Sequence, residues 1–376
     1  MPTPDPVERT LSSEPFLSRF YTFRRIADNL SRKIGRSLGH PDNSPWVMRP
    51  GRGRSAGTYV DFLFGLDYLS PNATFVRLLQ KAFAPYGLSL LLANDRNVES
   101  VTRDVARGWI RPHVYLDLCS TLDKRFLDLL KACAAQGVYP LADPNLLASC
   151  TFKAELQPRL EGAGLPVPPT VIFRAGEPDR DLTAEEIARI GERCVAKPSK
   201  GAAARGVAVG IAPTAAAIGK ARDFDRADDW LVQKMIAWGR CGHRAAYLRA
   251  YHVFGHRSLL WWAREDGLDK YERLTWSDVR EYDLLGAVEL IDRLADLIGL
   301  DYFSTEIAIT ADSGPGRFVL IDYVNDQCDM DPDPGPGKRS VPEEWVAWAC
   351  ARIAEFVWRK KHRLETAQVK ALWLPD

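Results

Sequence analysis

The sequence of 376 residues predicts a mixed fold, in which a small parallel α/β sheet precedes two α+β units. Three observations support this prediction. Strand-like apolar runs alternate with helical patterns over residues 58–142, which is typical of a parallel sheet. A basic, glycine-bounded loop joins two apolar runs near residue 200, as in a β-hairpin, and a second hairpin pattern covers residues 302–324. The length allows two or three packed domains.

The composition is that of an ordinary globular protein, with 46% hydrophobic and 26% charged residues. The net charge of +1 produces no overall field that would attract nucleic acid or an anionic membrane, so we expect neither as a partner. Residues 1–60 are locally basic, with ten Lys or Arg residues against five Asp or Glu residues. Seven scattered cysteines, an N-terminus without an apolar run and the lack of a membrane-length segment predict a cytoplasmic protein.

The spacing of apolar residues, glycines and prolines predicts the elements in order. A helix over residues 16–38 and a Pro/Gly/Arg-rich linker come first. The strands expected after them are 59–66, 88–93, 113–118, 138–141, 170–174, 194–196, 207–211, 230–236, 244–254, 258–264, 302–310 and 317–324. The helices expected are 72–86, 98–108, 123–136, one around 151–156, 183–193, 215–223, 282–298 and 341–361. The corresponding domains are 1–57, 58–142, 143–236, 237–340 and 341–376.

The loop between the runs 194–196 and 207–211 is small, basic and bounded by glycines. Small residues let backbone N–H groups approach a ligand closely, and Lys197, Lys200 and Arg205 add positive charge. This combination suits a polyphosphate. The alternative interpretation is a solvated surface turn.

Two carboxylates lie among apolar neighbours in the last predicted hairpin, Glu306 in its first strand and Asp322 in its second. An ionised carboxylate in a half-buried strand is costly unless it is paired or bound to a metal. Together with the amide of Asn325, these residues form a set of hard oxygen donors that suits Mg²⁺ holding a triphosphate. The alternative is that both carboxylates face solvent on an edge hairpin.

The order of these features resembles the ATP-grasp superfamily, in particular carboxylate–amine ligases similar to RimK and glutathione synthetase. The matching segments cover about residues 143–328. They are Lys153 in Thr-Phe-Lys, Gly-Leu-Pro-Val-Pro-Pro-Thr, Val-Ala-Lys-Pro with its Gly-rich loop, Val-Gln-Lys-Met-Ile, Tyr247-Leu248-Arg249, Arg264, residues 301–307 and Ile-Asp-Tyr-Val-Asn. Residues 58–142 are similar to the α/β domain that precedes the grasp in this family.

The resemblance implies two α+β subdomains that clasp ATP together with Mg²⁺, with two metal ions. Lys153 and Lys197 would contact the phosphates. The loop implied to close over them contributes Lys200, Gly201, Ala202, Arg205 and Gly206. The segment implied to hold adenine is Gln233, Lys234, Met235 and Ile236. Arg249 and Arg264 would neutralise the transferred phosphoryl group and the acyl phosphate, and the implied metal ligands are Glu306, Asp322 and Asn325.

The implied reaction joins the carboxylate of an amino acid, peptide or similar small acid to an amine through an acyl phosphate, releasing ADP and phosphate. Specificity would lie in the first α/β domain and in loops near residues 265–280 and 326–340. Two alternatives stay open. One is a kinase acting on a polyol or inositol phosphate, with Arg240, Arg244 and the basic arm around the acceptor. The other is a non-catalytic nucleotide-binding protein. A homodimer is left open.

The sequence departs from the family pattern at three places. No Asp or Glu occurs from Met235 to Trp262, where the family usually has an acidic residue for the ribose hydroxyls. Tyr247 stands where an Asp commonly precedes the arginine by two residues. The last strand has Asp-x-x-Asn instead of Glu-x-Asn, so we expect a β-bulge that lets Asn325 reach the metal.

Overall fold

The computed structural model describes residues 57–66, 73–120, 123–141, 144–200, 204–265, 268–311, 316–326, 328–330, 332, 341–364 and 371–374. The predicted helix at residues 16–38 and nearly all of the basic arm lie outside these ranges. Within them, no helix is both long and apolar enough to cross a bilayer. All seven cysteines fall inside the described ranges, where they are buried and form no disulfide.

The N-terminal sheet is parallel throughout, as its alternating pattern predicts. Its strands are β1 (Thr58–Gly65), β2 (Leu90–Ala93), β3 (Ile110–Asp117) and β4 (Tyr139–Pro140), in the spatial order β2-β1-β3-β4. The connecting helices are α1 (Ala73–Phe83), α2 (Val98–Ala106) and α3 (Lys124–Ala135). Asp123 caps α3 through a hydrogen bond from the Arg125 N–H. The two faces of this sheet are buried in separate apolar clusters.

A second sheet is small and antiparallel, in the order β5-β8-β6-β7. Its strands are β5 (Thr170–Phe173), β6 (Cys194–Pro198), β7 (Ala208–Ile211) and β8 (Trp230–Lys234), so the predicted hairpin around residue 200 is present. The helices of this part are α4 (Pro144–Thr151), α5 (Lys153–Gly162), α6 (Ala184–Ile190) and α7 (Ala215–Arg222). A capping box between Thr183 and Glu186 begins α6.

The third sheet is the largest, with β13-β12-β11-β14-β15 in order and β16 paired with the start of β12. These strands are β11 (Tyr247–Val253), β12 (His256–Glu265), β13 (Leu268–Arg273), β14 (Tyr302–Ile309), β15 (Phe318–Asn325) and β16 (Ala371–Leu372). A separate two-stranded ribbon consists of β9 (Arg240–Cys241) and β10 (Arg244–Ala245). The helices are α8 (Trp276–Glu281), α9 (Leu285–Ile298) and α10 (Glu343–Lys361).

Two predictions for this region need correction. The predicted strand at residues 244–254 is divided between β10 and β11, because the Ala246 N–H turns away to the carbonyl of Gly239. The segment 265–280, predicted as a loop, contains β13 and α8. A capping box between Thr275 and Asp278 begins α8, and this sequence signal was missed.

Strand β11 shows how the large sheet is covered. Successive side chains of a strand point to opposite faces. Leu248 and Ala250 share an apolar cluster with α9, whereas Tyr251 points to the other face and packs on Trp345 of α10 with ring centroids 3.8 Å apart. Helix α10 packs between the Tyr251 face of the large sheet and the N-terminal sheet, so the three share one apolar core. Lys361, the last residue of α10, has its Nζ 3.1 Å from Oδ1 of the buried Asp61 in β1. Tyr247 and Arg249 occupy the α10-side face farther along β11.

Candidate functional site

One cross-strand row of the large sheet brings three predicted site residues together. Arg249 in β11 is opposite Glu306 in β14, and Glu306 is opposite Asp322 in β15. Residues that are directly opposite share a face of the sheet, so all three side chains lie on the face that carries Tyr251. The interpretation that both carboxylates face solvent on an edge hairpin does not fit this arrangement, because Glu306 lies on an interior strand.

Both oxygens of Glu306 have partners. Arg249 Nη2 lies 2.7 Å from Oε1, and the Tyr247 hydroxyl donates a hydrogen bond of 2.8 Å to Oε2. Burial and the neighbouring carboxylate raise the pKa of Tyr247 well above its ordinary value, so the hydroxyl remains a donor. The Arg249 guanidinium also lies 5.3 Å from the ring centre of Trp262. Tyr247, noted in the sequence only as a departure, thus holds a predicted metal ligand.

Two lysines reach the same row from the small sheet and α5. Lys197, 7% exposed, donates a 2.8 Å hydrogen bond to the carbonyl of Ile321, and Lys153 Nζ lies 3.5 Å from Asp322 Oδ1. Burial lowers the pKa of Lys197 to about 8, with Lys153 adding to the effect and the carboxylates opposing it. Burial raises the pKa of Asp322, but the surrounding cations outweigh this and leave it below its ordinary value. The site is therefore a mixed cluster of charges between two sheets.

Ser199 fixes the two lysines relative to each other. Its carbonyl accepts the Lys153 N–H at 3.1 Å, and its hydroxyl accepts the Ala154 N–H at 3.0 Å. These contacts tie the start of α5 to the end of β6. Asp228 in turn accepts the Lys200 N–H at 2.8 Å. Neither Ser199 nor Asp228 is predicted as a site residue from the sequence, although Ser199 stands between two predicted site lysines.

The predicted bulge in the last strand is present. Ser304 is paired with Asn325 and Glu306 with Asp322. A step of two residues along β14 therefore matches a step of three residues along β15, which is a β-bulge. Without the extra residue, Asp322 and Asn325 would lie on opposite faces. The bulge places both of them on the face of Glu306.

The donor chemistry of this cluster fits a magnesium ion. Asp322 Oδ1 is buried and has no donor in hydrogen-bond geometry within the described ranges, although Lys153 lies nearby. Mg²⁺ is usually held by one or two carboxylates, with phosphates and water completing its shell. The described residues contain no group of three or more His, Cys, Asp or Glu that could hold a metal by itself. Two carboxylates and one amide therefore suit a metal that also binds a phosphate.

The phosphate-loop residues are described only at the ends of the loop. Gly201 and Ala202 lie outside the described ranges. Gly206 has φ +72°, and a Cβ there would lie 2.6 Å from the Phe224 ring, so only glycine fits without rearrangement. The Arg205 guanidinium lies 5.7 Å from the same ring centre, and Lys200 Nζ lies 5.1 Å from that of Phe152.

The segment predicted to hold adenine follows the end of β8. The Gln233 side chain is buried and donates to Tyr323 at 2.7 Å and to Thr170 at 2.8 Å, so it contributes to the junction of the two sheets. The Lys234 N–H donates to the Pro169 carbonyl at 2.9 Å. Lys234 and Met235 are exposed and Ile236 is half-buried. Their contact with adenine stays a prediction.

Arg264, the second predicted catalytic arginine, lies in β12 opposite Asp269. Its side chain is outside the described part of the structure. The role of Arg264 therefore stays a prediction from the sequence.

Comparisons with known proteins give no match to a protein-family model and no match among curated proteins. Solved structures do match. A RimK domain ATP-grasp protein from Sphaerobacter thermophilus is 20% identical, with 78% of this chain and 98% of that chain covered and a TM-score of 0.56. D-alanine–D-alanine ligase from Bacillus anthracis is 12% identical, with 82% and 100% covered and a TM-score of 0.57.

A third match is the ATP-grasp ligase PsnB in complex with a minimal precursor, Mg and ADP. It is 15% identical, with 81% of this chain and 99% of that chain covered and a TM-score of 0.51. At such low identity these likenesses concern the fold alone. Together with the three sheets described above, they identify this chain as having the ATP-grasp fold that its motifs predict.

Proposed function

We propose that the protein is an ATP- and Mg²⁺-dependent ligase that joins a carboxylate to an amine through an acyl phosphate. The observation that carries the proposal is the convergence of Lys153, Lys197 and Arg249 with Glu306 and Asp322 at the junction of two sheets. A reaction that transfers a phosphoryl group depends mainly on positioning and on fixed charges, and this cluster supplies both.

The roles follow from charge and position. Lys153 and Lys197 would bind the phosphates of ATP, and Arg249 would stabilise the negative charge of the transferred group. Asp322, Glu306 and Asn325 would hold Mg²⁺, which would neutralise phosphate charge when bound. In the reaction, a carboxylate oxygen attacks the γ-phosphorus and ADP leaves. The amine nitrogen then attacks the acyl carbon, loses a proton, and inorganic phosphate leaves with the former carboxylate oxygen.

The named neighbours support the same class of reaction. One is a ligase for D-alanine, and another is a ligase complexed with Mg and ADP. The substrates of this chain are proposed only as a small or peptide carboxylate and an amine.

The proposal is tested by ADP release from ATP and Mg²⁺ with pools of amino acids and amines. Hydroxylamine attacks an acyl phosphate to give a hydroxamate, and ¹⁸O from a labelled carboxylate then appears in the released phosphate. We expect both signals, and we expect Asp322→Asn to abolish them with an unchanged melting temperature. The exposed Asp128 on α3 provides a matched control, Asp128→Asn. ADP release by Asp322→Asn at the wild-type rate would contradict the proposal.

The kinase alternative has less support. Arg244 pairs with Glu272 at 3.1 Å and Asp278 at 3.3 Å, and Arg240 donates to the carbonyl of His243. These arginines are thus engaged within their own neighbourhood. Phosphorylation of an alcohol without hydroxamate or ¹⁸O transfer would favour a kinase, and ATP binding without any turnover would favour a non-catalytic protein.

A further inference from the structure

An aromatic wall, made of Trp238, Tyr247 and Trp262, stands beside the charged cluster. Tyr247 lies at the centre, with its ring 5.6 Å from that of Trp238 and 4.8 Å from that of Trp262. Tyr247 is buried, whereas Trp238 is 46% exposed. A tryptophan that packs on a buried neighbour and still exposes half of its surface offers a flat apolar face to a ligand.

The wall shares a face of the large sheet with the predicted metal ligands. Tyr247 and Trp262 are the residues next to the Leu248–Trp261 pair of β11 and β12, and the Tyr247 hydroxyl donates to Glu306. Trp238 packs on this tyrosine, so it lies on the same side. The backbone beside Trp238 is also fixed, because the Gly239 N–H donates to Ile309 at 3.1 Å. The exposed indole is therefore held in place at the edge of the site.

Along the chain, Trp238 comes two residues after Ile236, the end of the segment predicted to bind adenine. In space, it is linked through Tyr247 to Glu306 at the predicted phosphate and metal end. In a nucleotide the sugar lies between base and phosphate, so a residue linked to both of these predicted regions is placed where the sugar would lie. The sequence offers no acidic group for sugar hydroxyls between Met235 and Trp262.

We propose that Trp238 forms the ribose subsite, by stacking its indole against the apolar face of the furanose ring. This inference rests on the proposed function, since it requires that ATP binds here. It differs from hydroxyl recognition by a carboxylate, because an aromatic face recognises the ring and not its hydrogen-bonding groups. Tyr247 supports the indole from behind, Trp262 packs on Tyr247, and neither touches the nucleotide.

The test measures calorimetric affinity for two probes in the presence of Mg²⁺, ATP and an acyclic adenine nucleotide that keeps the base and phosphates but lacks the sugar ring. For Trp238→Ala we expect ATP affinity to fall about tenfold, the range of one lost stacking contact. Affinity for the acyclic probe should change less than about twofold, because that probe has no ring to stack. Trp238→Phe should retain most of the ATP affinity.

The control is Trp109→Ala, since Trp109 is 43% exposed and lies beside the N-terminal sheet. It should leave both affinities unchanged. Unchanged ATP affinity in Trp238→Ala, or an equal loss for both probes, would overturn the ribose subsite while leaving the ligase proposal intact. If the wild-type protein does not bind ATP at all, the proposed function itself fails, and this inference with it.

Discussion

Replacement of Lys197 by methionine should separate stability from nucleotide binding. The pKa of this buried amine falls from 10.5 to about 8, so below pH 8 its charge costs the folded protein about 3 kcal/mol relative to the unfolded chain. Methionine removes that cost, and the lost hydrogen bond to Ile321 offsets about 1–3 kcal/mol of the gain. The free energy of unfolding at pH 7 should therefore stay the same or rise. ATP affinity should fall about 100-fold, since a buried cation no longer meets the phosphates.

Thermal melting without ligand and calorimetric titration with ATP at pH 7 measure the two effects. Lys220→Met, an exposed lysine on α7, controls for the general loss of one positive charge and should change neither quantity. Unaltered ATP affinity in Lys197→Met would remove this residue from the phosphate site. A melting temperature lowered by more than about 5 °C would show that the amine mainly stabilises the fold.

Three further predictions concern the same region and its scaffold. ATP affinity of the wild-type protein should fall up to about tenfold per pH unit above pH 8, because Lys197 loses its proton there. Lys197→Arg should show no such decline, since arginine stays protonated. Calorimetric titration with ATP across pH 7–10 checks both expectations. Tyr247→Phe removes the hydroxyl that donates to Glu306 Oε2 and should lower the half-saturating Mg²⁺ concentration about threefold in the ADP-release assay, whereas an increase would show that the hydroxyl orients the ligand. Arg222→Met removes a buried guanidinium that donates to Asp179 and to the carbonyls of Glu177 and Arg174, whereas Asp179 keeps Arg226 at 3.0 Å. The change should cost about 2–4 kcal/mol in urea unfolding, with ATP affinity retained, and a cost below about 1 kcal/mol would contradict the reasoning.

Local patterns in the sequence were sufficient for much of the fold. The alternation of strands and helices over residues 58–142 predicted the parallel sheet, and the basic hairpin appears as β6 and β7. The bulge of β15 was predicted from the resemblance, because Asp-x-x-Asn stands where the family has Glu-x-Asn. These features depend on side-chain periodicity and turn chemistry, which act within a few residues of each other.

Other features depend on distant parts of the chain and could not be predicted in the same way. Strand β13 has a mostly polar sequence, and its pairing with β12 decides its conformation. Gln233 is part of the predicted adenine segment, but its side chain turns inward because Thr170 and Tyr323 are there to receive it. Ser199 becomes important only when α5 starts beside the end of β6.

The sequence alone determined which groups are available: lysines on the basic hairpin and at the start of α5, carboxylates in the last hairpin, and Asn325 three residues after Asp322. Only the tertiary structure decided how these groups are paired. Arg249 meets Glu306, Lys197 crosses to β15, and Tyr247 holds a carboxylate while supporting Trp238. The physical reason is that burying a charged side chain in a strand costs desolvation free energy. The residues that offset this cost lie on strands that are far apart in the sequence.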